Sequence, residues 1–188
     1  MEEMKDDELI KKLRFETFYS SKEESNSPLI PDIVQFIKQM DEQDIADKDK
    51  ILISLRYGRR MLSHTKKLDT EELNREEFVE IVDYDPARKA LLTIGPKEPE
   101  VETPIHWIIQ NAKKDINAVV QITDEKLVEK YLKKLPEVEK NIYKTLEISK
   151  EILTHLREKP GVLINKQSVM LAGKSLDEIK NRIFERKK

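Results

Sequence analysis

An α/β fold with helices on both faces of one sheet is what this sequence predicts, and three observations carry the prediction. Strand-like and helix-like hydrophobic patterns alternate along the chain instead of clustering by type. Residues 116–122 form a nearly unbroken apolar run around Val119 and Val120, the signature of a strand covered on both sides. The 188 residues, 38% of them apolar, are enough to bury the core of one domain without disulfides or structural metals.

Taken in order, Leu9, Ile10, Leu13 and Phe18 have the spacing of a short amphipathic helix over 6–18. A polar stretch, 20–27, reads as a linker, so residues 1–27 form an N-terminal extension and the domain proper covers 28–188. Ile30, Ile33, Val34, Ile37 and Met40 recur on one helical face. Strands are expected over 50–56 and 60–63 around Tyr57-Gly58-Arg59, and over 78–82 and 90–94 around Asp83-Tyr84-Asp85-Pro86. Thr103-Pro104 has the form of a capping hydroxyl followed by a proline at the first helical position. Ile105, Ile108, Ile109 and Ala112 would supply that helix's buried face. Helices follow over 125–134 and 137–158, then strands over 162–164 and 169–172. Ser175 with Glu178 makes a capping box for a last helix whose core face is Leu176, Ile179 and Ile183.

Composition narrows the function. The 35 basic and 37 acidic residues nearly cancel, which argues against a general polyanion binder such as a nucleic-acid protein. The absence of cysteine excludes a disulfide framework, a thiolate nucleophile and a cysteine-based zinc site. No apolar run is long enough to cross a bilayer, and the acidic N-terminus is unlike a signal peptide; a cytoplasmic location is expected. The Lys- and Glu-rich composition is of a kind found in thermophile proteins.

Three stretches stand in a telling order: FVEIVDYDPARKALLTIG at 78–95, VETPIHWIIQNAKKDINAVVQIT at 101–123 and GVLINKQSVMLAGKSLDEI at 161–179. Together, over roughly 28–180, they resemble the class II aldolase/adducin family. That family has a strand pair, a Glu-x-x-x-His at a helix start, and Ala-Val-Val leading into His-x-His. Near its end come an Asn-His-Gly segment and a Gly-Lys-Ser/Asp-Leu helix start. The resemblance implies a three-layer α/β/α sandwich with a central mixed, largely antiparallel sheet. It also implies a sugar-phosphate aldolase, epimerase or dehydratase scaffold, often a ring-like tetramer. Three histidines hold zinc in the family's enzymes, where the metal polarises the substrate carbonyl and a carboxylate moves the proton.

Residue by residue, that chemistry is missing here. The resemblance puts the three histidine positions on Gln121, Thr123 and Gln167, and neutral amides and hydroxyls are poor zinc ligands beside imidazole. No metal site and no cofactor are therefore expected, and Gln121 and Gln167 are expected to hydrogen-bond each other, or a water, in the vacated position. The family's phosphate cradle falls on Ile51 and Leu52, on Lys66 and Lys67, and on Glu100 and Val101. Glu100 would repel a phosphate. What survives is Glu102, in the place of the catalytic carboxylate, with His106 four residues on.

Three readings follow. In the first, the chain is a catalytically degenerate member of the scaffold that acts through binding or assembly. In the second, a metal-free lyase or isomerase acts on a sugar phosphate through Glu102 and His106. In the third, Arg56, Arg59, Arg60, Lys66 and Lys67 form an anion- or RNA-binding cluster. Expected partners are further copies of the chain, a small anionic ligand or another protein, with no membrane and no nucleic acid under the first two readings. His64, in the turn before Lys66, could join an anion site. His155 reads as surface or satisfied burial, and Trp107 as packing.

Overall fold

A computed structural model describes residues 15–139 and 144–184 of the chain. Nine strands form one sheet: β1 (Glu16–Ser21), β2 (Ile51–Tyr57), β3 (Arg60–His64), β4 (Phe78–Asp85), β5 (Ala90–Ile94), β6 (Ala118–Ile122), β7 (Glu137–Val138), β8 (Gly161–Ile164) and β9 (Ser168–Gly173). Their order is β1-β5-β4-β3-β2-β6-β9-β8-β7. Pairing is antiparallel through the interior, and parallel only at the two ends, β1 with β5 and β7 with β8. The helices are α1 (Ile30–Glu42), α2 (Thr103–Ala112), α3 (Glu125–Tyr131), α4 (Thr145–His155) and α5 (Leu176–Phe184).

The sheet sits between two helical layers because its strands carry apolar side chains on both faces. On one face Ile53, Leu55, Val120, Ile122 and Leu171 pack with Ile33 and Ile37 of α1, Leu127 of α3 and Ile179 of α5. On the other, Val119, Val162 and Met170 meet Ile105 and Ile109 of α2 and Ile148 and Ile152 of α4. A third cluster joins Met61, Val79, Ile81 and Leu91 to Trp107 of α2, which lies in packing as its sequence suggests. The expected three-layer α/β/α sandwich with a mixed, largely antiparallel sheet is present.

Most elements fall where the hydrophobic pattern puts them, and the departures have physical reasons. The helix expected over 6–18 lies mostly outside the described residues, but its last part is strand. Thr17, Phe18 and Tyr19 belong to β1, where long-range pairing with β5 and the β preference of these side chains override a weak helical spacing. Residues assigned to an extension therefore supply the edge of the sheet, and Ser25 and Ser27 of the expected linker are buried against it. The helix expected over 137–158 begins only at Thr145, because Glu137 and Val138 pair with Leu163 and Ile164. Ala112 faces solvent, and His106, Trp107 and Gln110 are buried in its stead. Glu102, not Thr103, is the capping residue of α2; Thr103 is its first helical residue, and the Thr103 hydroxyl is buried without a hydrogen-bond partner. At α5 half of the expected capping box forms, Glu178 N–H donating to Ser175 Oγ at 3.2 Å, while Glu178 Oε2 accepts from Lys174 N–H at 2.8 Å, one residue before the cap.

Among the described residues no helix is long and apolar enough to cross a membrane.

Candidate functional site

Strand register decides which side chains meet beneath α2. Ser54 pairs with Val119, Ser63 with Val79, and Gln121 with Met170, and these residues share the face that α2 covers. One register step past Ile122 and Val169, Thr123 and Ser168 come together on the same face. The outcome is a polar lane across β3, β2, β6 and β9, running between two apolar clusters.

His106 enters this lane from α2 and is fully buried. Its Nδ1 lies 2.9 Å from Ser54 Oγ and its Nε2 3.4 Å from Gln121 Oε1. Gln121 continues the lane through Nε2, 3.5 Å from Ser168 Oγ, and Thr123 Oγ1 is 3.4 Å from the same hydroxyl. In the other direction Ser54 Oγ is 3.2 Å from Ser63 Oγ, which donates to the Ile53 carbonyl at 3.2 Å. Gln110, one turn after His106, donates to the Ser54 carbonyl at 2.9 Å. Buried polar groups cost stability unless they are bonded, and here most find a partner within the lane, Gln110 Oε1 being an exception.

This arrangement does not fit a zinc ion. Zinc sites in proteins are built from imidazole, thiolate and carboxylate, whereas the lane offers amides, hydroxyls and one imidazole. A neutral imidazole has one donor and one acceptor nitrogen, and both nitrogens of His106 already face a partner. Among the described residues no group of three or more His, Cys, Asp or Glu is placed to hold a metal ion.

The three expected vacated positions do not act as one cluster. Gln121 is buried, and Gln167 is exposed in the turn between β8 and β9. There Asn165 and Lys166 both adopt positive φ and Gln167 N–H closes the turn onto the Ile164 carbonyl at 3.0 Å. Gln121 is bonded to His106 and to Ser168, the residue after Gln167, so the expected Gln121–Gln167 pair is replaced on that side by a shorter residue one step along. Thr123 and Gln167 instead share an outer cleft of about 460 Å³ with Lys50, Asp124, Lys126 and Lys166.

Glu102 stands at the N-terminus of α2 with Oε1 3.4 Å from Lys66 Nζ. Lys66 also gives its backbone N–H to Glu100 Oε1 at 2.9 Å. Two positions of the expected phosphate cradle are thus bonded to each other, and two more, Ile51 and Leu52, are fully buried in the sheet.

The basic cluster expected over 56–67 is divided by the structure. Arg56, Arg59 and Arg60 sit at one end of the β2–β3 hairpin, and Lys66 and Lys67 lie beyond the other end of β3. Arg56 is committed to the backbone: its Nη2 donates to the carbonyls of Gln110, Lys113 (3.3 Å) and Ile116 (2.9 Å), and its Nε to Asn117 Oδ1 at 2.9 Å. Arg60 is paired with the buried Glu80 at 2.8 Å, and Lys66 with Glu102. Arg59 and Lys67 remain exposed at opposite ends. The five cations therefore do not form one contiguous cluster on this hairpin. His64 is buried on the α1 face. Ser54, Ser63, Ser168 and Gln110 are the lane residues that sequence reasoning missed, since isolated serines in strands carry no periodic signal.

Comparison of the whole architecture with solved structures gives significant matches. An L-fuculose 1-phosphate aldolase superposes with a TM-score of 0.67 at 14% identity, over 85% of this chain and 82% of that one. A protein of the aldolase II superfamily from Pseudomonas syringae gives 0.58 at 13%, over 85% and 74%. The fold is that of the class II aldolases. A sugar-phosphate aldolase from Thermotoga maritima shares this class II aldolase fold, with a TM-score of 0.61 at 16% identity over 82% and 88% of the two chains. No family model matches the sequence, and no curated protein matches it.

Proposed function

We propose that this protein is a catalytically degenerate class II aldolase-like protein, working through binding or assembly without zinc-dependent aldol chemistry. The observation that supports this most is the buried lane from Ser54 through His106 and Gln121 to Ser168 and Thr123. Neutral hydrogen-bonding groups stand where the resemblance calls for imidazoles, and two of them, Gln121 and Thr123, already share the Ser168 hydroxyl. An enolate formed there would lack the stabilisation that this chemistry needs, and losing even one such donor costs an enzyme about 3 kcal/mol of transition-state energy.

The alternative of metal-free acid–base chemistry at Glu102 and His106 gains little support from the geometry. Both nitrogens of the imidazole have partners inside a closed lane, and the carboxylate sits by an ammonium. If the scaffold retains activity, the names of its structural neighbours make a lyase or isomerase reaction on a sugar phosphate the one to assay.

The test is elemental analysis of the protein purified with zinc present, followed by aldol-cleavage assays on sugar phosphates with and without divalent metals. Substoichiometric zinc and no metal-dependent cleavage are expected. One zinc per chain, or cleavage that a chelator abolishes, would overturn the proposal.

A further inference from the structure

Strand β1 ends the sheet, and its bonding to β5 leaves a defined set of backbone groups facing outward. Glu16 N–H donates to the Lys89 carbonyl at 2.7 Å, and the Phe18 carbonyl accepts from Thr93 Oγ1 at 3.4 Å. Glu16 and Phe18 therefore turn their peptide groups toward β5. Successive residues of a strand direct these groups to opposite sides, so the N–H and C=O of Thr17 and Tyr19 point away from the sheet. The register shifts between Tyr19 and Ser21, and the Ser21 carbonyl is taken by Gly95 N–H at 3.0 Å. The usable edge thus ends at Tyr19. At its centre stands Phe18, 48% exposed and one of the few large apolar side chains so open to solvent.

We propose that this edge pairs with the same edge of a second copy, antiparallel about a two-fold axis at Phe18, so that one sheet continues through a homodimer. In that register Thr17 of each copy meets Tyr19 of the other as a hydrogen-bonded pair, exchanging N–H and C=O both ways. Every outward group of the two residues is then used. Phe18 meets Phe18 as the intervening non-hydrogen-bonded pair, the kind in which side chains approach most closely. Glu16 falls opposite Ser20, so a carboxylate meets a hydroxyl and no like charges face each other.

The register one step toward the C-terminus fits less well. Centring the axis on Tyr19 would set Thr17 against Ser21, whose carbonyl is already engaged. A second copy suits the edge because the edge is its own complement, both in its short run of free groups and in the apolar residue at its middle. This pairing goes beyond the proposed function and does not rest on the lane beneath α2, so either statement can fail alone.

Sedimentation velocity of the full chain over a wide concentration range tests the idea. A reversible dimer of the 22.2 kDa chain is expected. Thr17→Pro removes an outward N–H without touching a bond to β5, and should raise the dimer dissociation constant about tenfold or more. Phe18→Ser should weaken the dimer as well, and serves alone if the proline variant does not fold. Circular dichroism should show unchanged secondary structure in both. A chain that stays monomeric at every concentration sinks the proposal, as does an oligomer indifferent to both substitutions. Hydrogen exchange gives a second reading: the Thr17 and Tyr19 amides should gain protection as the dimer forms. If they are already protected in the monomer, the edge is closed within one chain and the proposal fails.

Discussion

His64 shows how much a single buried ring can weigh. It lies on the face opposite His106, with Nε2 accepting from Ile53 N–H at 3.0 Å and Nδ1 donating to the Thr65 carbonyl at 2.7 Å. Those roles define the neutral tautomer, because a second proton on Nε2 would point at an N–H. Burial is the main reason its pKa falls from the ordinary 6.5 to about 4, and the nearby Lys66 charge lowers it further, against the bond to Thr65. The unfolded chain binds a proton through this window while the folded one does not, so stability rises with pH between about 4 and 6.5 and is complete above it. Acidification should therefore cost about 3 kcal/mol from this residue alone. Chemical denaturation at pH 7 and near pH 4.5 should show the loss in the native chain and a smaller loss in His64→Gln. An equal loss in both would remove His64 as the cause.

At the scale of elements, two joints carry weight beyond their size. Arg56 reaches from the end of β2 to the C-terminus of α2 and gathers carbonyls from Gln110, Lys113 and Ile116. The last carbonyls of a helix have no partners within it, and a planar guanidinium can serve several of them together. Arg56→Met should cost about 2–4 kcal/mol in denaturant titration, with Arg56→Lys recovering only part of it because an ammonium lacks the fork. Gly161 opens β8 where backbones crowd: a Cβ there would lie 2.1 Å from the Met170 carbonyl oxygen and 2.8 Å from Leu171 Cδ2. Gly161→Ala should therefore lower stability by about 1–3 kcal/mol, read as a drop in melting temperature. Gly58→Ala makes a useful contrast, since its site is open space and only its positive φ resists a side chain.

For the molecule as a whole, legibility followed the range of the interactions. The α1 stripe of Ile30, Ile33, Ile37 and Met40 and the apolar run of β6 could be read because each is a local pattern matched to a local structure. Strand β1 could not, since nothing near Thr17–Tyr19 in sequence names Leu91, Leu92 and Thr93 as partners. Strand β7 is two residues long and leaves no period to detect. The positions of the candidate site were legible through Gln121, Thr123, Glu102 and His106, but their connections were not. Ser54, Ser63 and Ser168 reach the lane only because three separate strand pairings bring them to one face. Likewise, a cluster of five cations close in sequence is pulled to two ends of a hairpin, where the neighbours of Arg56, Arg60 and Lys66 claim them.

The parallel pairing of β1 with β5 also sets an order of events. Glu16 and Thr17 must wait for partners, Ala90 and Leu91, that lie far later in the chain. Closing so long a loop carries an entropic cost that delays the contact relative to the hairpins of β2–β3 and β4–β5. Strand β1 should thus dock after those hairpins, and until then its aromatic pair, Phe18 and Tyr19, waits in the open.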